Sequence, residues 1–331
     1  MEVAGRSVRI SSPDKVYYPD AGVTKLDLAE YYAAVAEGAF RALAGRPVAL
    51  NRFPDGLSGS SFYMKHAPKG LPDWVQTVQV TFPSGRTGNE VCITEAATLV
   101  WAVQMGALEL HPWPVRRSDT DHPDELRVDL DPQPGTGFAE AVEAAREAKA
   151  LFEELGLTAF VKTTGGRGLH LLVRIEPRWS FISARRAVIA FARELERRRP
   201  DLVTTSWWKE ERGERVFVDF NQMARDRMLA AAYSSRARPD APVSMPVRWT
   251  DLSDVTPQDF TTRTVPALLA DRGDAHEDID SAVFTLDALL EMSERDERDH
   301  GLGDMPYPPD FPKMPGEPKR VQPSKAKKET A

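Results

Sequence analysis

Three carboxylates in two short apolar stretches are the side chains best suited to chemistry. In Asp124-Glu125-Leu126-Arg127-Val128-Asp129-Leu130-Asp131-Pro132, Leu126, Val128 and Leu130 alternate with Arg127, Asp129 and Asp131, the period of a strand. Asp129 and Asp131 then share a face, about 7 Å apart along the strand. In a cleft such a pair is costly unless positive charge sits between them. Oxygen-preferring divalent cations meet that need, and two-metal sites use such pairs to bridge phosphates. A solvated acidic strand end is the other reading. Val216-Phe217-Val218-Asp219-Phe220 places a lone acid in a second apolar strand. A buried carboxylate needs a partner, either a metal shared with the first pair or a salt bridge to Arg225 or Arg227.

A second group of residues suits phosphate or nucleic acid. Thr163-Thr164-Gly165-Gly166-Arg167-Gly168-Leu169-His170 joins two apolar runs. Its glycines allow close backbone approach, as in a phosphate cradle or in a plain hairpin turn. It is not a P-loop, because no Gly-Lys-Ser/Thr ending and no helix follow. His170 could donate to a phosphate oxygen, and His111, in Leu110-His111-Pro112-Trp113, is either structural or functional. Lys15 and Lys25 flank a helix start, where backbone N–H groups also favour anions. Arg236 and Arg238 share one face of an extended segment. Of the adjacent Phe62 and Tyr63, one is expected in the core. The other is expected at the surface, available for base stacking or simply at a sheet rim.

The elements that must hold these residues follow from pattern. Thr24 and Asp27 form a capping box before a helix through Leu43. Segments 47–53, 61–65, 75–82 and 90–94 read as an antiparallel meander, and 95–109 as an apolar helix. Residues 138–155 form an amphipathic helix with Thr136 as its cap, and 183–198 a helix with a solvated basic face. Residues 1–300 are expected to be one catalytic domain, and 301–331, rich in Pro and Lys, a flexible tail.

Composition sets outer limits. The 331 residues carry a net charge of −7, which argues at first against nucleic acid. However, residues 271–299 hold eleven acids and three basic residues, so that segment carries −8 and the remainder about +1. A local basic channel is compatible with that distribution. Cys92 is the only cysteine, which excludes disulfides within the chain and cysteine-based zinc sites. No apolar run approaches a membrane span and the first residues lack an apolar signal core, so a cytoplasmic protein is expected.

The order Leu110-His111-Pro112-Trp113, Asp129-x-Asp131, Thr164-Gly165-Gly166-Arg167-Gly168-Leu169-His170 and Val218-Asp219 resembles the polymerase domain of bacterial DNA ligase D, of the archaeo-eukaryotic primase superfamily. The likeness runs over roughly residues 6 to 290. Ligase and nuclease modules are absent from this sequence, so a stand-alone relative is expected. The resemblance implies an α/β (α+β) primase–polymerase fold, with an RRM-like antiparallel catalytic sheet and a second α/β layer around a central cleft. It implies two Mn²⁺ or Mg²⁺ ions on Asp129, Asp131 and Asp219, with Mn²⁺ favoured. It places His111, Thr164, Gly165, His170, Arg236 and Arg238 at an NTP or dNTP, with NTPs preferred. Thr164 stands where the family has Ser, and the hydroxyl is kept. Lys15 and Lys25 correspond to the pair that binds a 5′-phosphate at gapped or broken DNA, and Phe62 and Tyr63 to the template-stacking position. The implied activity is gap filling or end extension in repair, by a monomer, alongside a separate DNA ligase and an end-binding protein, with no membrane. Two rivals are a non-catalytic DNA-end-binding scaffold, which would not need all three aspartates, and a phosphodiesterase, which would remove nucleotides.

Overall fold

The computed structural model describes residues 1–307. Its central strand is Glu125–Pro132, where alternation sends Leu126, Val128 and Leu130 into the core and leaves Arg127, Asp129 and Asp131 on the opposite face. The strand pairs antiparallel with Leu169–Arg174 on one side and Val216–Val218 on the other. Phe160–Thr163 and Pro246–Val247 extend the sheet beyond Leu169–Arg174. Val203–Thr204 adds in parallel at the far edge, making six strands. The helices Phe138–Glu154 and Phe181–Arg198 lie on the apolar face, where Phe152 and Phe191 stack with centroids 4.0 Å apart.

Residues 47–112 build a second, five-stranded sheet, but not a meander. Pro47–Arg52 is its centre. It pairs with Phe62–Met64 and Thr87–Cys92 along one edge and with Ala107–Pro112 along the other, while Gln76–Thr81 pairs only with Thr87–Cys92. The helix expected over 95–109 is Ala97–Gln104 alone. Gly106, at φ +83°, ends it and reverses the chain into the strand Ala107–Pro112, a conformation open to glycine at little steric cost.

Caps explain other boundaries. Thr24 and Asp27 form the expected box, and the helix Lys25–Ala34 follows; a break at Val35 separates it from Ala36–Leu43. Helix Phe138–Glu154 is capped at Gly137, not Thr136: the Glu140 carboxylate accepts from Gly137 N at 2.7 Å, while Thr136 Oγ1 donates to Gln133 O. The basic face of Phe181–Arg198 is not simply solvated. Arg185 donates to the carbonyls of Met305 and Pro306, Arg193 to those of Leu302 and Gly303, and Arg186 pairs with Asp304. Residues 308–331, including the lysines of the expected tail, lie outside the described residues.

Candidate active site

Cross-strand pairing sets the site. Asp129 lies directly opposite His170, and Lys162 opposite His170 on the next strand. On the other side Asp219 N donates to Asp129 O at 2.8 Å. Directly opposed residues share a face, so Asp219, Asp129, His170 and Lys162 form one row across four strands, with Asp131 two positions along. The strand Val216–Val218 stops one residue before Asp219, which instead caps the short 3₁₀ turn Phe220–Met223. Phe220 belongs to that turn, and Arg225 pairs with Asp121 rather than Asp219.

The electrostatics of the three acids are unbalanced. Burial, then the charges of Asp219 and Asp131, push the Asp129 carboxyl well above the usual carboxylate range. Burial also raises Asp131, with Asp219 adding to it, against a hydrogen bond from Gln133 Nε2 at 3.2 Å. Hard oxygen donors repelling one another fit a divalent cation, which favours their ionised forms. As the side chains stand, no three acids, histidines or cysteines among the described residues close on one point. Asp219 spends one oxygen on Asn221 N at 3.0 Å and the other on Gln222 Nε2 at 2.9 Å. Arg212 stacks on Phe217 at 3.4 Å and lies close enough to Asp131 and Asp219 for its charge to be felt by both.

The glycine-rich turn docks on the arginines. Gly165 sits at φ +71°, and a Cβ there would fall 2.5 Å from Arg236 Cγ; one at Gly168 would fall 2.4 Å from Leu130 O. Thr164 Oγ1 accepts from Gly166 N and Gly168 N, which leaves its O–H to donate. Arg236 donates to Thr164 O, and the Arg238 guanidinium lies over Gly166.

The second sheet contributes a network centred on Glu109. This buried carboxylate accepts from Asn51 Nδ2 at 2.7 Å, Arg236 Nε at 2.9 Å and Ala237 N at 3.0 Å, and meets His111 Nε2 at 3.1 Å. Burial works against its ionisation, but the His111 hydrogen bond and the Arg236 charge outweigh burial and hold it below the usual range. Tyr63 packs edge-on against His111 at 5.3 Å. Phe62 points to the opposite face, under Arg52. Neither ring is core: Phe62 is 47% exposed and Tyr63 52%.

Lys15 and Lys25 are brought together at the start of helix Lys25–Ala34, away from this row in the sheet. Lys15 Nζ donates to Pro54 O and Asp55 Oδ1, and the buried Lys25 Nζ to Ser11 Oγ at 3.4 Å. Burial, then the charge of Lys15, lowers Lys25 from the usual lysine range.

Residues 24–276 match the family model described as LigD, primase-polymerase domain. The chain belongs to this family. The LigD protein of Pseudomonas aeruginosa, a multifunctional non-homologous end joining protein, is 38% identical over 245 residues, 74% of this chain and 29% of that protein. That of Mycolicibacterium smegmatis is 33% identical over 312 residues, 92% of this chain and 40% of that protein. The chain thus spans well under half of these relatives. Among solved structures, the polymerase domain of Mycobacterium tuberculosis ligase D in complex with DNA superposes with a TM-score of 0.78 at 33% identity, covering 84% of this chain and 99% of that one. The LigD primase–polymerase fold is therefore the fold of this chain, and the LigD polymerase family is one of nucleotidyltransferases.

Sequence reasoning singled out the acids, the turn and the arginines, but missed Glu109, Lys162, Gln133 and Arg212. Lys162 had a signal, a lysine in the middle of an apolar strand. Glu109 was hidden by reading its segment as helix, which separates it from His111; in a strand the two share a face.

Proposed function

We propose that this chain is a DNA-directed nucleotidyltransferase that fills short gaps or extends ends in double-strand break repair of the end-joining type. The observation that carries this reading is the row Asp219–Asp129–His170 with Asp131 beside it, facing a glycine turn held by two arginines. That arrangement offers carboxylates for cations and N–H and O–H donors for a triphosphate within one site.

Asp129, Asp131 and Asp219 would hold two divalent cations, Mn²⁺ in preference to Mg²⁺. Bound there, the cations supply the positive charge that eases loss of the primer 3′-hydroxyl proton and offsets charge on the departing pyrophosphate. The chain's own groups orient the substrates. His170, the Thr164 hydroxyl, the Gly165 turn and the guanidinium groups of Arg236 and Arg238 bind the triphosphate as charge-assisted donors. His111, fixed by Glu109, lines the nucleotide site. Tyr63, on the face of His111, stacks on the template base, with Phe62 behind it. Lys15 and Lys25 take the 5′-phosphate of the downstream strand, with NTPs preferred over dNTPs at the growing end. The protein acts in the cytoplasm as a monomer, with a separate DNA ligase and an end-binding protein as partners.

The test is extension of a labelled primer across a short gap bearing a downstream 5′-phosphate, comparing NTPs with dNTPs and Mn²⁺ with Mg²⁺. Extension lost in Asp129→Ala and Asp131→Ala establishes the polymerase. Tight binding without extension establishes the scaffold instead, and shortening of ends the phosphodiesterase.

A further inference from the structure

One member of the cross-sheet row has no part in the chemistry above. Lys162 is buried, at 1% exposed. Burying an amine of this kind is costly without partners, and no carboxylate among the described residues pairs with it as an ion pair. Its Nζ has two neighbours instead: Ser244 Oγ at 2.5 Å and His170 Nδ1 at 2.7 Å.

The direction of each bond follows from chemistry. Ser244 gives its own hydrogen to Thr163 O at 2.7 Å, so it accepts from Lys162. As an ammonium, Lys162 has only N–H donors to offer. His170 Nδ1 therefore accepts, and the ring hydrogen belongs on Nε2. On the far side Nε2 lies 3.5 Å from Asp129 Oδ1, which can accept in its ionised form. A ring that accepts at Nδ1 is neutral, and its tautomer decides what it offers a phosphate.

We infer that Lys162 is a positioning residue: it donates to His170 Nδ1 and so keeps the His170 Nε2–H facing Asp129 and the triphosphate. The inference rests on the polymerase reading for its consequence but not for its geometry. It is the same logic by which a group behind a histidine selects which nitrogen works in front.

The experiment uses the full chain with ¹⁵N-labelled histidine and long-range ¹H–¹⁵N correlation, the His170 signals being assigned with His170→Gln. Wild type should show a single Nε2–H tautomer. Lys162→Met should lose it, and Lys162→Arg, which keeps an N–H donor, should restore most of it. In gap extension, Lys162→Met should raise the KM for the nucleotide about 10- to 100-fold, the scale for removing a partner behind a working ligand. Its affinity for the phosphorylated gap should be unchanged, a split that a general structural defect would not produce. A Lys162→Met protein with the wild-type tautomer and KM overturns the inference. Should Lys162→Met not fold, Ser244→Ala loosens the other end of the lysine and is read by the same correlation; an unaltered His170 tautomer there is equally fatal. Wild type that shows the lysine-dependent tautomer but no extension refutes the polymerase reading and leaves the tautomer assignment standing.

Discussion

The two ends of one strand treat acidic residues in opposite ways. At the start of Glu125–Pro132, Asp124 and Glu125 are enclosed by arginines. Arg46 grips Asp124 with two nitrogens at 2.5 and 3.0 Å, Arg116 adds a contact at 2.6 Å, and Glu125 takes Arg127 at 2.8 Å and Arg174. Burial opposes ionisation of Glu125, yet Arg46, Arg174 and Arg127 outweigh it and hold the carboxyl well below the usual range. Five to seven residues along, Asp129 and Asp131 lie close to Asp219, and burial, then acid–acid repulsion, outweighs the nearby cations and the Gln133 hydrogen bond and pushes both upward. The strand is the same; the neighbours differ. Compensated acids serve the fold, whereas acids left in mutual repulsion form a site that a cation can complete. Such a site costs stability in the free protein.

Breaking the uncompensated end should give the largest effect. Asp129→Ala is expected to reduce gap extension by at least ~10³-fold, the scale for removing one of several groups that act together. Its melting temperature should be equal to or above that of wild type, because a repulsion is removed. At the compensated end the outcome should invert: Glu125→Ala leaves the buried Arg127 without its acid and takes one carboxylate from Arg46 and Arg174, which keep Asp124 and Asp280, and should lower stability by about 3 kcal/mol in urea titration. If Asp129→Ala destabilised as much as Glu125→Ala, the contrast between the two ends would be lost.

Glu109 sharpens the comparison, since it is a compensated acid inside the site. Glu109→Gln keeps the shape but weakens the hold on Arg236 and His111. Extension rates should fall about 10- to 100-fold with melting little changed. Glu90 tests the other extreme, a buried acid with one oxygen bonded to Trp113 Nε1 and the other without a partner. Burial pushes its carboxyl up to about 8, so the folded chain holds a proton there that the unfolded chain releases at lower pH. Stability contributed at this position therefore falls as pH rises from the usual carboxylate range toward 8. Glu90→Gln should flatten that slope, with a gain of about 4 kcal/mol at pH 8 and convergence with wild type near pH 4, seen in paired melting curves.

Much of the site was legible because strand chemistry is local. Alternation alone put Asp129 and Asp131 on the face opposite Leu126, Val128 and Leu130, and the glycine spacing marked the turn before His170. The capping box at Thr24 was equally plain, since all its atoms lie within four residues. Errors came where an apolar run suited either period. Residues 105–109 looked helical until Gly106 turned the chain, and that single boundary concealed Glu109. The half-exposed pair Phe62 and Tyr63 misled for the reverse reason: Arg52 and His111, from other strands of the same sheet, cover ring faces that pattern would assign to a core.

Residue type and order thus settled which groups can carry charge, that Asp129 and Asp131 share one strand face, and which family the chain resembles, because these depend on side-chain chemistry and near neighbours. Folding settled their partners. Whether an acid is raised or lowered, whether Lys162 points at His170 or at solvent, and whether Arg236 binds Glu109 or stays free are set by register across four strands and by contacts more than 70 residues apart. Charge interacts through space, and its sign of effect is fixed only when the third dimension brings the other charges near or keeps them away.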